Sequence, residues 1–238
     1  MSLAVASMQQ MQQMPLALGT AAPQRFDNFV PGANDQWPQV LDALRRPQPA
    51  TPLLLWGPSG CGKTHLLHAA AAHQQAQGHQ VAAFDADTPL PWSVDDTVRL
   101  IVLDRCEAFD AARQHAAFTL FVEAASLAIP VIAAATAPPV DLPLRDDLRT
   151  RLGWGLVYQL VPPTEAEVRA LLRREADRRG ILLSDDVMSY LLTRHARNLS
   201  HLMDLLERLD HFSLAFKRAV TVPLLKQMLA TEAEAGDA

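Results

Sequence analysis

Hydrophobic and polar positions divide the first two thirds of the chain into two kinds of segment that alternate. Short, almost wholly apolar runs, such as residues 51–56, are typical of strands that are buried on both faces. Longer stretches rich in Ala and Leu, such as residues 64–77, have the spacing of helices. This alternation predicts an α/β fold in which a parallel sheet carries helices on both faces. The other predicted strands are 81–85, 99–104, 131–136 and 156–161, and the other predicted helices are 37–44, 109–125 and 144–152.

Beyond Pro162 and Pro163 the pattern is helical only. Thr164 and Glu167 have the spacing of a capping box, which predicts a helix that ends at Gly180. Three further helices are predicted, the first capped by Ser184 or Asp185, the second capped by Asn198, and the third begun by Thr221 and Pro223.

The chain therefore divides into three predicted parts. Residues 1–24 are rich in Gln, Met, Ala and Pro and lack the periodicity of a core element, so we expect a flexible tail. Residues 25–162 form the α/β core, and residues 163–238 form a small all-helical lid.

Composition narrows the class of protein. The 238 residues are 49% hydrophobic and 20% charged, as in globular proteins that bury a proper core. No Lys or Arg precedes Arg25 and glutamines interrupt the early apolar residues, so we expect no signal peptide, no membrane span and a cytoplasmic protein. The only cysteines, Cys61 and Cys106, do not suggest a structural disulfide. A net charge of -5 predicts that any DNA contact is indirect or weak, although a local basic patch is left open.

The segment GPSGCGKT, residues 57–64, satisfies every fixed position of a phosphate-binding loop. Gly57, Gly60 and Gly62 leave room for backbone N–H groups to surround a phosphate. We expect Lys63 to reach the outer phosphates and Thr64 to offer its hydroxyl to magnesium. A strand pattern before the loop and a helix pattern after it provide the expected setting, so nucleotide binding is predicted.

The apolar run RLIVLD, residues 99–104, ends in Asp104. In phosphate-loop proteins a carboxylate at the end of such a strand lies beside the magnesium ion, and we expect this role for Asp104. An aspartate that merely caps a turn is the alternative. Many such ATPases carry a second carboxylate next, to polarise the attacking water, but this chain has Arg105, which cannot act as a base. Glu107 lies past the predicted strand end and is given no such role. We therefore expect nucleotide binding without efficient hydrolysis.

Residues 142–155 contain three arginines, Arg145, Arg149 and Arg151, close to the last predicted strand. Charge spacing alone favours a solvated helix face on which these arginines pair with Asp146 and Asp147. The alternative is an arginine that enters the phosphate site of a neighbouring subunit.

Five segments together are similar to the AAA+ family, and more narrowly to the Hda family of regulators of the replication initiator DnaA. They are FDNFV, GPSGCGKT, LIVLD, the Thr-x-Pro-Pro that begins at Thr136, and RLGWG. The resemblance extends over residues 25–229. It implies ADP or ATP with magnesium as ligand, contact of Phe29 and Val30 with the adenine, Thr136 as the sensor 1 residue, and Arg151 as an arginine finger that acts in trans.

The resemblance also implies functions for the N-terminal tail and for the lid. Residues 13–18 are similar to the peptide by which Hda proteins bind the DNA polymerase sliding clamp, with Gln13, Met14, Leu16 and Leu18 as the contact residues; a register that begins at Gln12 is left open. In the family, the lid often carries an arginine, called sensor 2, that contacts the nucleotide phosphates. Ser200 occupies that position here, and we expect Arg197, one helical turn earlier, to substitute for it.

The function that the resemblance implies is that of an ADP-binding AAA+ regulator. Tethered to the DNA-loaded clamp, it would stimulate ATP hydrolysis by DnaA and so negatively regulate initiation; self-association as a homodimer is left open. One alternative is an autonomous DnaA-like or helicase-loader ATPase, although an initiator is expected to carry a helix-turn-helix domain after the lid, for which residues 230–238 offer no room. The other is a structural adaptor for which nucleotide only stabilises the fold.

Overall fold

A computed structural model of the protein describes residues 24–195 and 199–236. Five parallel strands form one sheet: β1 (Leu53–Trp56), β2 (Gln80–Phe84), β3 (Val98–Leu103), β4 (Val131–Ala135) and β5 (Leu156–Gln159). Their order across the sheet is β2-β3-β4-β1-β5. The phosphate-binding loop follows the strand that lies fourth in this order, so it has β4 on one side and the edge strand β5 on the other.

Helices cover both faces of the sheet, which confirms the predicted fold class. Alternate strand residues face opposite sides, so Leu55 packs on one face and Leu54 on the other. The core helices are α1 (Trp37–Arg45), α2 (Lys63–Ala76), α3 (Ala111–Leu127) and α4 (Asp146–Gly153), and 3-10 turns lie at Phe26–Asn28, Cys106–Ala108 and Pro139–Asp141.

The ends of two elements differ from the sequence prediction for local reasons. Helix α3 begins at Ala111 rather than at residue 109, because the Asp110 side chain accepts the Arg113 N–H at 2.8 Å and acts as the N-cap. Strand β5 ends at Gln159 rather than at residue 161, because β1, its only partner in the described part of the chain, ends at Trp56.

The lid is a bundle of four helices with its own buried core, as predicted. Thr164 and Glu167 form the predicted capping box, and Ser184, rather than Asp185, caps the second helix by accepting the Val187 N–H at 3.4 Å. Asn198, the predicted cap of the third helix, lies outside the described residues. The helices are α5 (Glu165–Arg178), α6 (Asp185–His195), α7 (Leu199–Phe216) and α8 (Val222–Gly236).

The segment before α1 is tied to the junction between core and lid. The Asn34 side chain accepts the Val161 N–H at 2.8 Å and donates to the Val161 carbonyl at 3.1 Å. Gly32 lies against Pro163, where an added Cβ would come within 3.3 Å of the proline Cα. These contacts hold the N-terminal segment beside the phosphate-binding loop. No helix within residues 24–195 and 199–236 is long and apolar enough to cross a membrane.

Candidate nucleotide-binding site

The phosphate-binding loop joins β1 to α2, and its glycines are required by packing as well as by the ligand. Gly62 has a φ of +96°, and a Cβ there would come within 2.6 Å of Phe29 Cε2. At Gly57 a Cβ would lie 2.3 Å from the Leu160 carbonyl oxygen. The loop is therefore closely enclosed by the N-terminal segment on one side and by the end of β5 on the other.

Lys63 is held inside the loop. Its Nζ donates to the Gly57 carbonyl at 2.7 Å and to the Pro58 carbonyl at 3.0 Å. Lys63 is also the first residue of α2, whose N-terminal N–H groups favour a bound anion. Burial raises the pKa of the neighbouring Cys61 thiol although Lys63 opposes this, so the sulfur stays protonated at neutral pH. The positive charge near the loop is therefore available to phosphate rather than neutralised by a thiolate.

Thr64 and Asp104 are brought together across 40 residues of sequence. The Thr64 hydroxyl donates to Asp104 Oδ2 at 2.7 Å, and the Arg105 N–H donates to Asp104 Oδ1 at 2.9 Å. A hydroxyl and a carboxylate are the oxygen ligands that magnesium prefers, and the ion commonly completes its shell with phosphate oxygens and water. The pair therefore fits the magnesium that accompanies a nucleotide.

The N-terminal segment forms one wall of the cleft. Phe29 stacks on Trp37, with the ring centres 4.7 Å apart, and lies 5.7 Å from the ring of His65. His65 Nε2 is hydrogen-bonded to the Arg25 carbonyl at 2.9 Å, and burial lowers the pKa of this histidine. A neutral imidazole thus anchors the segment to α2 and leaves Phe29 and Val30 facing the cleft.

The cleft measures about 430 Å³. From the lid, Leu199, Met203 and Asp204 also line it. Arg197, the predicted substitute for the sensor 2 arginine, lies outside the described residues. So do the four predicted clamp-binding residues, Gln13, Met14, Leu16 and Leu18. Gly57 lies at the base of the loop. The remaining predicted nucleotide-binding residues that the structure describes line the cleft together: Phe29, Val30, Gly60, Gly62, Lys63, Thr64, Asp104 and Thr136.

Arg105, which follows Asp104, is held by the loop after β2. Its guanidinium bonds to Asp85 at 2.7 Å and to Asp87 at 2.5 Å, and its backbone is left-handed, with a φ of 54°. Partial burial opposes ionisation of Asp85, but hydrogen bonds from Thr88 and Arg105 lower its pKa to about 2. The carboxylate therefore stays ionised and keeps the arginine in place.

Sequence reasoning missed the contribution of Glu107. Its Oε2 accepts the Thr136 N–H at 3.1 Å, and both residues line the cleft. The signal in the sequence is only an acidic residue three positions after Asp104, and the 3-10 turn at Cys106–Ala108 is what returns that side chain to the site. Asp204 was missed because its approach depends on how the lid packs over the core.

Arg151 lies on α4, outside the cleft. Its two neighbours are paired as charge spacing predicts, Arg145 with Asp147 at 2.6 Å and Arg149 with Asp146 at 2.5 Å. Within the described part of the chain Arg151 makes no ion pair, and its guanidinium lies over Trp154, which is 72% exposed. A surface depression of about 510 Å³ includes both side chains and Phe118. The charge of Arg151 is therefore available at the surface.

Two family models match this chain. The model of the bacterial DnaA ATPase domain matches residues 22–109, which include the phosphate-binding loop and Asp104, and the model of the Hda lid domain matches residues 165–229. The chain is an Hda-like AAA+ protein of the DnaA family. The match to the ATPase domain implies that the chain binds a nucleotide.

Several solved structures share the fold of this chain. Domain III of the Thermotoga maritima initiation protein DnaA is 19% identical, with a TM-score of 0.68 over 87% of this chain and 96% of that domain. DnaA from Aquifex aeolicus, solved with AMPPCP, is 21% identical, with a TM-score of 0.61 over 79% of this chain and 65% of that one. The RuvB branch migration motor of T. maritima is 17% identical, with a TM-score of 0.61 over 88% and 72% of the two chains. At these identities the likeness shows the AAA+ fold of the Hda-like chain.

Proposed function

We propose that this Hda-like protein holds ADP in its own cleft and stimulates ATP hydrolysis by the initiator DnaA, supplying Arg151 to DnaA's nucleotide site. By removing the ATP-bound initiator, it would negatively regulate the initiation of DNA replication. The single observation that carries the proposal is the position of Arg151, which lies outside its own cleft and without an ion pair among the described residues.

An arginine in that position suits catalysis between two proteins. Helix α4 precedes β5, an edge strand of the sheet, and Arg151 shares a surface depression with Phe118 of α3. An arginine supplied from a neighbour stabilises the charge that develops on the transferred phosphoryl group, and this contribution is worth about 10³- to 10⁵-fold in rate. The two paired arginines, Arg145 and Arg149, would first have to break their salt bridges.

The chain's own cleft suits retention of a nucleotide better than rapid turnover. Lys63, Thr64 and Asp104, which lie together at the phosphate-binding loop, would provide the phosphate and magnesium contacts. The residue after Asp104, however, is Arg105, whose guanidinium is paired with Asp85 and Asp87. A guanidinium cannot accept a proton from water. We propose that the retained ligand is ADP.

The tether to the sliding clamp is proposed from the sequence, since its residues lie outside the described ones. Residues 13–18 place apolar side chains at alternate positions, which suits an extended peptide in a hydrophobic groove. Replacing Gln13, Leu16 and Leu18 with alanine should abolish capture by DNA-loaded clamp. Retained capture would move the clamp-binding segment elsewhere.

The central test compares Arg151→Ala with Arg149→Ala, a neighbour on the same helix that is paired with Asp146. Both proteins are added to ATP-bound DnaA with DNA-loaded clamp, and release of phosphate from DnaA is followed. We expect Arg151→Ala to lose stimulation by at least about 100-fold, while ADP affinity and thermal stability stay unchanged, and Arg149→Ala to retain most of it. Full stimulation by Arg151→Ala would contradict the proposal and favour a structural adaptor.

A further inference from the structure

The position that usually carries the water-activating carboxylate is unsuited to that role here. Arg105 cannot act as a base, and its side chain is directed to Asp85 and Asp87 on the loop after β2. A side chain that activates water in this cleft would therefore have to come from another position.

Glu107 is such a carboxylate. The 3-10 turn Cys106–Ala108 is fixed by Cys106, whose side chain is fully buried, and it brings the Glu107 side chain to the end of β4. There Glu107 Oε2 accepts the N–H of Thr136, the residue that follows β4, at 3.1 Å. The contact fixes the direction of the carboxylate and leaves its other lone pairs available, since an ionised carboxylate can accept about four hydrogen bonds.

The strand order decides what lies on either side of this carboxylate. Strand β4 lies between β3, which ends next to Asp104, and β1, which leads into the phosphate-binding loop. A carboxylate bonded to the residue after β4 is therefore placed between the magnesium-side acid and the loop that holds the phosphates. Lys63, Asp104, Glu107 and Thr136 all line the one cleft.

We infer that Glu107 is the general base for a slow ATP hydrolysis by this chain itself, which produces the ADP that it then retains. A water oxygen attacks the γ-phosphorus while the Glu107 carboxylate takes a proton from that water. The bond between the γ-phosphorus and the bridging oxygen breaks, and its electron pair leaves with the ADP. The proton then passes from Glu107 to solvent, so that ATP and water give ADP, phosphate and one proton.

This inference rests on the proposed nucleotide site but requires neither DnaA nor Arg151. It also explains how a cleft that binds triphosphate ends with a diphosphate without a separate enzyme. The rate is slow because the guanidinium of Arg105 is held by two carboxylates and Arg151 lies outside the cleft, so that neither stabilises the transferring phosphoryl group.

The test is a single-turnover measurement on the full chain, stripped of nucleotide and mixed with magnesium and substoichiometric ATP in the absence of DnaA and clamp. Glu107→Gln removes the base but keeps the side-chain size. The matched control is Asp141→Asn, which changes an exposed carboxylate in another 3-10 turn. We expect the wild type and the control to convert bound ATP to ADP, and E107Q to do so at least about 100-fold more slowly with unchanged ATP affinity.

Two further readouts separate a base from a residue that only supports the loop. Glu107→Asp, which restores a carboxylate, should recover part of the rate that E107Q loses. The nucleotide retained through purification should shift from ADP in the wild type toward ATP in E107Q. Absence of wild-type turnover, equal rates for both proteins, or a rate loss matched by lost ATP affinity would each overturn the inference. Because the assay contains no DnaA, those results would leave the role of Arg151 to its own test.

Discussion

The guanidinium carbon of Arg151 lies 5.1 Å from the centre of the Trp154 ring, one helical turn along at the end of α4. The ring is 72% exposed, although an indole of this size is usually largely buried. An exposed aromatic that supports an arginine both limits where the guanidinium can go and offers apolar surface to a docking protein. The two residues therefore form one structural unit at the surface.

Trp154→Ala should lower the stimulation of DnaA ATPase about 30-fold. Once a partner excludes water, a cation–π contact is worth about 2 kcal/mol, which corresponds to that factor. Trp154→Phe, which keeps a weaker aromatic face, should lose less. Because the side chain is mostly exposed, both variants should keep the free energy of unfolding of the wild type within about 0.5 kcal/mol. Equal stimulation by the alanine variant and the wild type would show that Arg151 needs no support from the ring.

Asp104→Asn should remove most of the gain in nucleotide affinity that magnesium provides. The amide keeps a hydrogen-bond acceptor for the Thr64 hydroxyl, now at 2.7 Å, but loses the charge that attracts the cation. We expect at least about a tenfold weaker affinity for ADP with magnesium present, measured by calorimetric titration. In the presence of EDTA the variant and the wild type should bind alike. A loss that persists in EDTA would instead place Asp104 in the support of the loop.

Gly62→Ala should destabilise the protein more than Gly78→Ala does. Both glycines have positive φ, +96° and +82°, so both substitutions carry a backbone cost of about 1 to 2 kcal/mol. Only at Gly62 does the new Cβ meet another residue, Phe29, at 2.6 Å; nothing lies within 4 Å of a Cβ at Gly78. The difference between the two free energies of unfolding, measured with denaturant, isolates the contact with Phe29. Equal losses would mean that the N-terminal segment moves away without cost.

The stability of the lid should depend on Glu175 at neutral pH but not in acid. Hydrogen bonds from Arg178, opposed by partial burial and reinforced by Arg179, lower the pKa of Glu175 to about 2. Since this pKa is below its value in the unfolded chain, the stabilisation is complete above about pH 4.5 and is lost as the pH falls toward 2.

Glu175→Gln should therefore lower the free energy of unfolding by about 1 kcal/mol at pH 7, a figure reduced for screening by solvent, and by almost nothing near pH 2. The control is Glu165→Gln, which removes a more exposed ion pair with Arg169 and should cost less than about 0.5 kcal/mol. Urea unfolding of both variants followed by circular dichroism measures the difference. A pH-independent loss would show that Glu175 acts through packing rather than charge.

Local sequence determined the elements and the chemistry that each could offer. The phosphate-binding loop, the apolar strands and the capping box of Thr164 and Glu167 are each set by residues within a few positions of one another, so they were predictable before any tertiary structure. The alternation of strands and helices was enough for the fold class. The exact ends of helices and strands were harder to predict from sequence. Helix α3, for example, begins after Asp110 because that side chain caps it, and capping depends on the conformation that the side chain adopts.

The relative positions of these elements were decided only by the tertiary structure. Asn34 binds Val161 across 127 residues, Phe29 covers Gly62, and Glu107 meets Thr136 at the end of a strand whose neighbours in the sheet are not its neighbours in sequence. Such contacts arise when distant segments pack to bury apolar surface, and local periodicity carries no information about them. For the same reason the sequence did not distinguish Arg151 from the two other arginines of its helix. In the folded protein Arg145 and Arg149 form ion pairs, whereas Arg151 lies over Trp154 at the surface.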